Sequence, residues 1–201
     1  AGQYQLEAGK SYCSECAAGS ITDKGSSTGA TTCTACDAGK YSKASNVPSC
    51  ADCDAGSITN RGSLPGASSC TACAAGRYST ASNVDQCSGC GAGKYVDSSG
   101  QTACKDCGVG KRQADSGKAF CDACAAGKYQ ASMAATECTG CTTGWYSGAL
   151  ATECLLCADG KHSGDSASVC NDCPKGYYGL SDGTCTTKCA AGKYSAAGAQ
   201  D

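Results

Sequence analysis

Cysteine is the residue type whose number and spacing in this chain could support chemistry. The chain has 201 residues, of which 22 are cysteines. Such a content is typical of a disulfide scaffold, and disulfides persist in oxidising compartments outside the cell or on its surface. Ten pairs have the spacing Cys-x-x-Cys, and an eleventh pair has one more residue between its members. In chain order the pairs are Cys13 and Cys16, Cys33 and Cys36, Cys50 and Cys53, Cys70 and Cys73, Cys87 and Cys90, Cys104 and Cys107, Cys121 and Cys124, Cys138 and Cys141, Cys154 and Cys157, Cys170 and Cys173, and Cys185 and Cys189.

Three kinds of chemistry fit this spacing, and the first is a ladder of disulfides. We name the second cysteine of each pair the head cysteine of a repeat, and in the ladder it bonds the first cysteine of the next pair. Each bond would close a loop of about 13–18 residues and contribute roughly 3 kcal/mol through chain entropy. The predicted bonds are Cys16–Cys33, Cys36–Cys50, Cys53–Cys70, Cys73–Cys87, Cys90–Cys104, Cys107–Cys121, Cys124–Cys138, Cys141–Cys154, Cys157–Cys170 and Cys173–Cys185.

The ladder is favoured because it allows each repeat to be lengthened independently, as the loop lengths vary along the chain. It leaves Cys13 and Cys189 over, and we expect them to bond beyond the two ends of this segment. A rival connectivity joins alternate pairs, first cysteine to first and second to second. Sequence alone does not decide between the two connectivities.

The second kind of chemistry is zinc binding, and the third is redox catalysis. Two Cys-x-x-Cys pairs that are roughly 11–16 residues apart have a spacing close to that of a four-thiolate zinc site. Eleven pairs are an odd number, so zinc sites would leave one pair without a partner. Redox catalysis by Cys-x-x-Cys needs a thiolate of low pKa, typically at a helix N-terminus. No segment of this sequence predicts such a helix.

The residues that follow each head cysteine must position the sulfurs, and they repeat as well. After a glycine there is usually a basic residue and then usually a tyrosine, often followed by a serine, as in Cys36-Asp-Ala-Gly-Lys-Tyr-Ser. We predict a short strand here, with the tyrosine on a disulfide and the lysine in water. His162, the only histidine, takes the tyrosine position of its repeat, and we interpret it as a packing substitute.

A glycine lies three residues after every head cysteine, and we name it the head glycine. Its strict recurrence suggests a backbone requirement, which is either a positive φ or the close approach of a neighbouring strand. The head glycines are Gly19, Gly39, Gly56, Gly76, Gly93, Gly110, Gly127, Gly144, Gly160, Gly176 and Gly192.

A period this short indicates a repeat architecture. We predict one continuous array over residues 1–201, with about twelve repeats of 15–20 residues. Residues 17–53 and 54–90 align without a gap and form a duplicated two-repeat block. Ala1-Gly2-Gln3-Tyr4 matches part of a repeat and Cys189 opens another, so we expect the array to be cut within a repeat at both ends.

Apolar residues are too few for a conventional core. Leu, Ile, Val and Phe together number 14 of 201. We therefore predict a small disulfide-rich repeat protein, an elongated linear stack of short β or irregular repeats with little or no helix. The net charge of −2 and the lack of a basic cluster argue against nucleic-acid binding. No apolar run reaches the ~18–20 residues that span a bilayer, and no catalytic, cofactor or metal motif other than the cysteines is present.

Two further groups of residues are candidate sites on the surface. Ser and Thr crowd the long loops, where we expect O-linked sugars, with unmodified turn residues as the alternative. The expected sugar-bearing residues are Ser26, Ser27, Thr28, Thr31, Thr32, Ser68 and Ser69. Trp145, Tyr146, Leu155 and Leu156 depart from the repeat and predict a contact patch for a partner or a neighbouring subunit; the alternative is that the leucines fill a slot between repeats.

Repeats of the form Cys-x-x-Cys-x-x-Gly-x-Tyr-Ser resemble the ephrin-receptor-like cysteine-rich repeats. The clearest instance is Cys33-Thr-Ala-Cys-Asp-Ala-Gly-Lys-Tyr-Ser, and the resemblance covers nearly the whole chain. It implies extracellular modules, similar to those of EGF and tumour-necrosis-factor receptors, that stack into rods. Surface proteins of algae and coat proteins of protists look similar.

These observations lead to a functional expectation. We expect a structural segment of an extracellular filament or cell-surface appendage, without enzymatic activity and without a cofactor. Its partners would be copies of itself or the continuation of the same polypeptide in a fibre, together with glycans. The alternative is a stalk or ligand-binding ectodomain of a cell-surface receptor.

Overall fold

The computed structural model describes residues 2–44, 47–82, 84–190 and 197–198. Within these ranges the chain has no helix, and its regular structure consists of short strands paired into eleven two-stranded sheets. The small disulfide-rich repeat fold predicted from the sequence is therefore confirmed. Among the head glycines, Gly192 lies outside the described residues. No helix in the described ranges is long and apolar enough to cross a membrane.

The strands are two or three residues long. In chain order they are β1 (Gln3–Tyr4), β2 (Ser14–Glu15), β3 (Ser20–Thr22), β4 (Cys33–Ala35), β5 (Lys40–Tyr41), β6 (Ala51–Asp52), β7 (Ser57–Thr59), β8 (Cys70–Ala72), β9 (Arg77–Tyr78), β10 (Ser88–Gly89), β11 (Lys94–Tyr95), β12 (Lys105–Asp106), β13 (Lys111–Arg112), β14 (Asp122–Ala123), β15 (Lys128–Tyr129), β16 (Thr139–Gly140), β17 (Trp145–Tyr146), β18 (Leu155–Leu156), β19 (Lys161–His162), β20 (Asn171–Asp172), β21 (Tyr177–Tyr178) and β22 (Thr187–Lys188).

Each repeat is a hairpin, and among the described residues a disulfide closes every hairpin except that of β1 and β2, whose Cys13 is unbonded. The first strand begins directly after the head glycine, and the second strand occupies the cysteine pair that follows. In one example β5 pairs with β6 in antiparallel register, with Lys40 opposite Asp52 and Tyr41 opposite Ala51. The strand predicted over Gly-Lys-Tyr-Ser is confirmed for its central two residues. Two-residue strands cannot hold a hairpin together alone, since isolated two-stranded hairpins are marginal in water.

Backbone hydrogen bonds join consecutive repeats and recur at the same positions. The N–H of Cys36 donates to the carbonyl of Gly19 in the preceding repeat at 2.8 Å. The N–H of Gly19 in turn donates to the carbonyl of Ser42 at 2.9 Å. Far along the chain the same two bonds join Cys141 to Gly127 at 2.9 Å and Gly127 to Ser147 at 2.8 Å. The repeats are thus tied to each other by main-chain groups that any sequence supplies.

The buried interior is made of sulfur and small side chains. The head cysteines from Cys16 to Cys173 are 0–2% exposed, whereas the tyrosines of the repeat are only half-buried. A second buried position lies six residues after the head cysteine, directly after the tyrosine, and sequence reasoning did not predict it. Its buried members are Thr22, Ser42, Thr59, Ser79, Val96, Gln113, Ser147 and Ser163.

The chain forms two compact units. The first comprises Ala1–Cys90, Val96–Lys105 and Gly117–Ala119, and the second comprises Gly91–Tyr95, Asp106–Ser116 and Phe120–Asp201. Each contains five of the ten disulfides and its own set of buried head cysteines. The single continuous array over residues 1–201 stays a prediction.

Candidate functional site

The described part of the chain contains ten disulfides, distributed from Cys16 to Cys185. Their pairs are the same as in the ladder predicted above, from Cys16–Cys33 to Cys173–Cys185. The bonded residues are 12 to 17 positions apart in sequence, and their Cα atoms are 5.6–5.7 Å apart. The rival pairing of alternate cysteine pairs is not the one that the structure contains. A bond that closes a loop of this size stabilises the fold by roughly 3 kcal/mol.

Two cysteines take no part in the ladder. Cys13 is exposed and Cys189 is half-buried, and neither is bonded within the part of the chain that the structure describes. Bonds from these two cysteines to sulfur beyond the segment stay a prediction. The four-thiolate zinc sites considered above do not occur among the other cysteines, because each of those is already bonded to one partner.

All the described head glycines satisfy the first backbone requirement that their recurrence suggested, a positive φ, and seven of them also satisfy the second, close approach. Those that the structure describes have φ between +74° and +88°, in the left-handed region that favours glycine. At seven of them a Cβ atom would also overlap a backbone carbonyl from a later loop. At Gly19 the overlap would be with the carbonyl of Gly66, and at Gly127 with that of Ser166. Any side chain at these two positions would force two backbones apart.

The residue that supplies this carbonyl has a second contact, and we name it the bridging residue. Gly66 lies in the loop between Cys53 and Cys70, and its N–H donates to the carbonyl of Cys36 at 2.7 Å while its own carbonyl lies against Gly19. One bridging residue therefore connects three successive repeats. The bridging residues with both contacts are Gly66, Gly100, Gly117, Ala134, Leu150 and Ser166.

Charged side chains form exposed pairs on the hairpins. The ammonium of Lys40 lies 2.7 Å from the carboxylate of Asp52 across its hairpin, and Lys161 lies 2.6 Å from Asp172 in the same way. The lysines are solvated, as predicted. Such pairs are worth about 0–1 kcal/mol in water, so they orient the hairpins but do not hold them together.

Two exposed carboxyl groups have a lowered pKa. At Asp97 the cause is chiefly a hydrogen bond from the side chain of Lys105. At Asp23 partial desolvation raises the pKa, but hydrogen bonds from Thr31 and Thr32 together outweigh it and leave the pKa lowered. Asp23 thus organises the loop on which sugars are expected.

The expected sugar-bearing residues lie on the surface. Six of them are exposed, and Ser68 is half-buried. The hydroxyl of Thr31 donates to Asp23 at 3.1 Å, and that of Ser68 accepts from Asn60 at 3.2 Å. A sugar on Thr31 would remove a hydrogen bond, whereas the exposed hydroxyls of Ser26 and Ser27 lie at the tip of the same loop. O-glycosylation stays a prediction.

The four residues of the predicted contact patch belong to one sheet. In the hairpin of β17 and β18, Trp145 lies opposite Leu156 and Tyr146 lies opposite Leu155. Trp145 is 40% exposed, and the two leucines are 50% and 42% exposed. The leucines therefore do not fill a closed slot between repeats. Whether a partner covers this patch stays a prediction.

His162 lies where its repeat places a tyrosine, opposite Asn171 in β19 and β20. An imidazole nitrogen and the sulfurs of Cys173 and Cys185 are within 4.8 Å of one another. The ring therefore packs on a disulfide, as expected of a packing substitute. The sequence carried one signal for this cluster, since His162 is the single histidine of the chain.

No protein-family model matches this chain, and no curated protein matches it either. The resemblance to ephrin-receptor-like repeats therefore rests on the recurring cysteine, glycine and tyrosine positions alone.

Proposed function

We propose that this chain is a structural repeat segment of an extracellular filament or cell-surface appendage. The observation that carries the proposal is the bridging contact, in which one residue contacts both a head cysteine and a head glycine of earlier repeats. It recurs at Gly66, Gly100, Gly117, Ala134, Leu150 and Ser166. A chain built for a single binding site would not need the same backbone contact in repeat after repeat.

The combination of cross-links and bridging contacts supports a mechanical role. A disulfide closes each hairpin from Cys16 to Cys185, so such a repeat can release only the few residues of its own loop when it opens. A bridging residue such as Gly66 contacts the two preceding repeats, so opening its loop also exposes the backbone groups of Cys36 and Gly19. Exposing backbone groups in several repeats at once is costly, and this cost would make the segment stiff and resistant to proteases.

The number of disulfides supports an extracellular or cell-surface location. Ten bonds persist only where the surroundings are oxidising. The resemblance to ephrin-receptor-like repeats supports the same location. Copies of this chain, or its continuation in the same polypeptide, would be the partners in the fibre, joined in part through Cys13 and Cys189.

Electron microscopy of the native particle tests this proposal directly. Continuous fibres with an axial period of one or more repeats are the expected result. Isolated monomers at the concentration of the native material would contradict the filament. The control is the same preparation after reduction and alkylation, in which the fibres should disappear because the repeats lose their cross-links.

Sugars on the exposed loop hydroxyls would complete the coat of such a filament. Ser26, Ser27 and Thr28 form a run at a loop tip in which all three side chains are exposed. The intact mass of native protein should exceed the peptide mass by whole sugar residues. A native mass equal to that of the peptide with ten disulfides would contradict this part of the proposal.

A receptor stalk or ligand-binding ectodomain is the second candidate function, and one observation favours it. Trp145, Leu155 and Leu156 expose apolar side chains on a single hairpin, and aromatic anchors are frequent at the centre of protein interfaces. A Trp145→Ala, Leu156→Ser variant distinguishes the two functions. If the filament proposal holds, this variant should still form fibres. If the chain is a receptor, the variant should lose its ligand. Leu64→Ser, at another exposed leucine, is the control.

A further inference from the structure

One disulfide of the ladder has a histidine beside it. An imidazole nitrogen of His162 and the sulfurs of Cys173 and Cys185 lie within 4.8 Å of one another. Among the described residues no other three histidine, cysteine or acidic side chains are grouped in this way. At the same position other repeats have tyrosines such as Tyr146 and Tyr178, whose hydroxyl is not a nitrogen ligand.

The imidazole itself is not satisfied in this arrangement. The Nδ1 atom of His162 is buried and has no hydrogen-bond partner. Leaving a buried polar group without a partner is unfavourable, and a tyrosine at this position would bring no ring nitrogen into the interior. The next side chain, Ser163, is satisfied, because its hydroxyl donates to the carbonyl of Trp145 at 2.9 Å. An unsatisfied buried nitrogen next to two sulfurs points to a ligand that occupies the cluster in another state of the protein.

We propose that reduction of the Cys173–Cys185 disulfide turns this cluster into a binding site for one Zn²⁺ ion. Two thiolates and one imidazole are ligands that zinc prefers, and they would fill three of its four tetrahedral positions, with water in the fourth. Thiolates on a tetrahedral zinc ion lie about 3.8 Å apart. The Cα atoms of Cys173 and Cys185 are 5.6 Å apart, and in the reduced protein the two sulfurs would reach this separation by rotation of the side chains.

The disulfide and the metal exclude each other, because the sulfurs can form one bond or the other. A trialkylphosphine supplies the two electrons for reduction: it takes the oxygen of one water molecule to become the phosphine oxide, and the two sulfurs take the hydrogens as thiols. Zn²⁺ then displaces both thiol protons into solvent. The repeat would keep its hairpin closed in both states, by a covalent bond in one and by the metal in the other.

Partial reduction of the full chain tests the proposal. The protein is treated with a trialkylphosphine until about one disulfide per molecule is open, and divided into samples with and without one equivalent of Zn²⁺. Iodoacetamide then labels free thiols, and peptide mass spectrometry follows the labelling rates of Cys173 and Cys185. The neighbouring bond Cys157–Cys170 closes a loop of similar size, with a sequence separation of 13 against 12 for Cys173–Cys185. It has a tyrosine, Tyr146, at the position that corresponds to His162, so it is the internal control.

We expect Zn²⁺ to slow the labelling of Cys173 and Cys185 and to leave that of Cys157 and Cys170 nearly unchanged. The His162→Tyr variant restores the residue of the other repeats and should still fold. In this variant the protection of the two thiols by Zn²⁺ should fall at least roughly tenfold, because even the loss of an outer-shell partner weakens a zinc site by about that factor. Equal protection at both bonds, or protection that survives in His162→Tyr, would overturn the proposal, because zinc would then bind any opened pair of cysteines.

Discussion

The contact around Gly66 in the first compact unit and that around Ser166 in the second have the same backbone geometry and different side chains. In both, the bridging residue donates its N–H to a head cysteine, Cys36 or Cys141, at 2.7 Å. In both, φ of the bridging residue is positive, at +81° for Gly66 and +55° for Ser166. The first is a glycine, which adopts this conformation freely, and the second is not.

The residue that faces the bridging position changes in the opposite sense. Ala35 faces Gly66, and a Cβ on that glycine would lie at an ordinary 3.7 Å from the methyl group of Ala35. Gly140 faces Ser166, and a Cβ on that glycine would meet the Oγ atom of Ser166. In each region one residue of the facing pair has a side chain and the other is a glycine. In the first region the side chain belongs to Ala35, and in the second it belongs to the bridging residue Ser166.

This exchange shows what the contact requires. Ala134, Leu150 and Ser166 are the non-glycine residues with positive φ among the described residues, and all three are bridging residues of the second compact unit. The left-handed conformation costs a residue with a side chain about 1–2 kcal/mol. The contact is thus formed in spite of local strain, because the disulfide and the hydrogen bonds of the neighbouring repeats hold the loop in place.

Reduction of all ten disulfides is expected to have the largest effect and to erase the difference between the two regions. Neither region has an apolar core, so the protection of the Ser42 and Ser147 amides from hydrogen exchange should be lost in both. Each bond contributes roughly 3 kcal/mol. A chelator added to the oxidised protein is the control and should change neither amide. Protection that survives reduction in one region would show that packing, and not sulfur, holds that region.

Substitution of the head glycines should have the next largest effect, and it should be equal in the two regions. In Gly19→Ala and Gly127→Ala the new methyl group meets the backbone carbonyl of Gly66 or Ser166. The expected loss is about 3 kcal/mol or more, since left-handed strain and overpacking add. It would be measured by chemical denaturation with the disulfides intact.

The matched control for the head glycines is Gly66→Ala. It has the same kind of positive φ, but its methyl group would meet Ala35 only at ordinary contact distance. The expected loss is therefore only the strain of about 1–2 kcal/mol. A loss as large as that of Gly19→Ala would mean that close approach of the backbones is not what selects the head glycine.

A double-mutant cycle at Gly140 and Ser166 tests the exchange of side chains. Gly140→Ala alone should destabilise the second compact unit, because its methyl group meets the Ser166 hydroxyl. Ser166→Gly alone should stabilise it by about 1 kcal/mol, since the left-handed strain is removed. The double variant reproduces the Ala35 and Gly66 arrangement, so the two changes should couple by about 0.5 kcal/mol or more. Simple additivity of the two changes would refute the exchange.

The smallest expected effect concerns the exposed pair of Asp97 and Lys105 in the first compact unit. The hydrogen bond from Lys105 lowers the pKa of Asp97 below its model-compound value of 3.8. A carboxyl group with a lowered folded pKa contributes stability above its unfolded pKa and loses it as the pH falls through the folded pKa. An NMR titration of Lys105→Gln should show the Asp97 pKa rising towards 3.8, with no change at Asp23. A rise at both carboxyl groups would mean that net charge, and not this contact, is responsible.

Cysteine spacing by itself determined the class of the fold and favoured the ladder, but the choice between the ladder and the rival connectivity came from the structure. The head cysteines, the head glycines and the lysine–tyrosine strands are local features of each repeat. They could be predicted from the sequence because they recur at the same positions in successive repeats. The buried position occupied by Ser42 and Ser147 was missed, because serine is usually exposed and nothing local marks it as interior.

Only the tertiary structure decided what each head glycine faces. Gly19 meets Gly66 and Gly127 meets Ser166, so the facing residue lies two repeats away and is not always of the same type. The contact is made by backbone atoms, so side-chain identity carries no signal of it, and Leu150 and Ser166 could not be recognised as members of the same set as Gly66. The grouping of His162 with Cys173 and Cys185 was hidden for a related reason, since it depends on how one hairpin lies against the disulfide of the next.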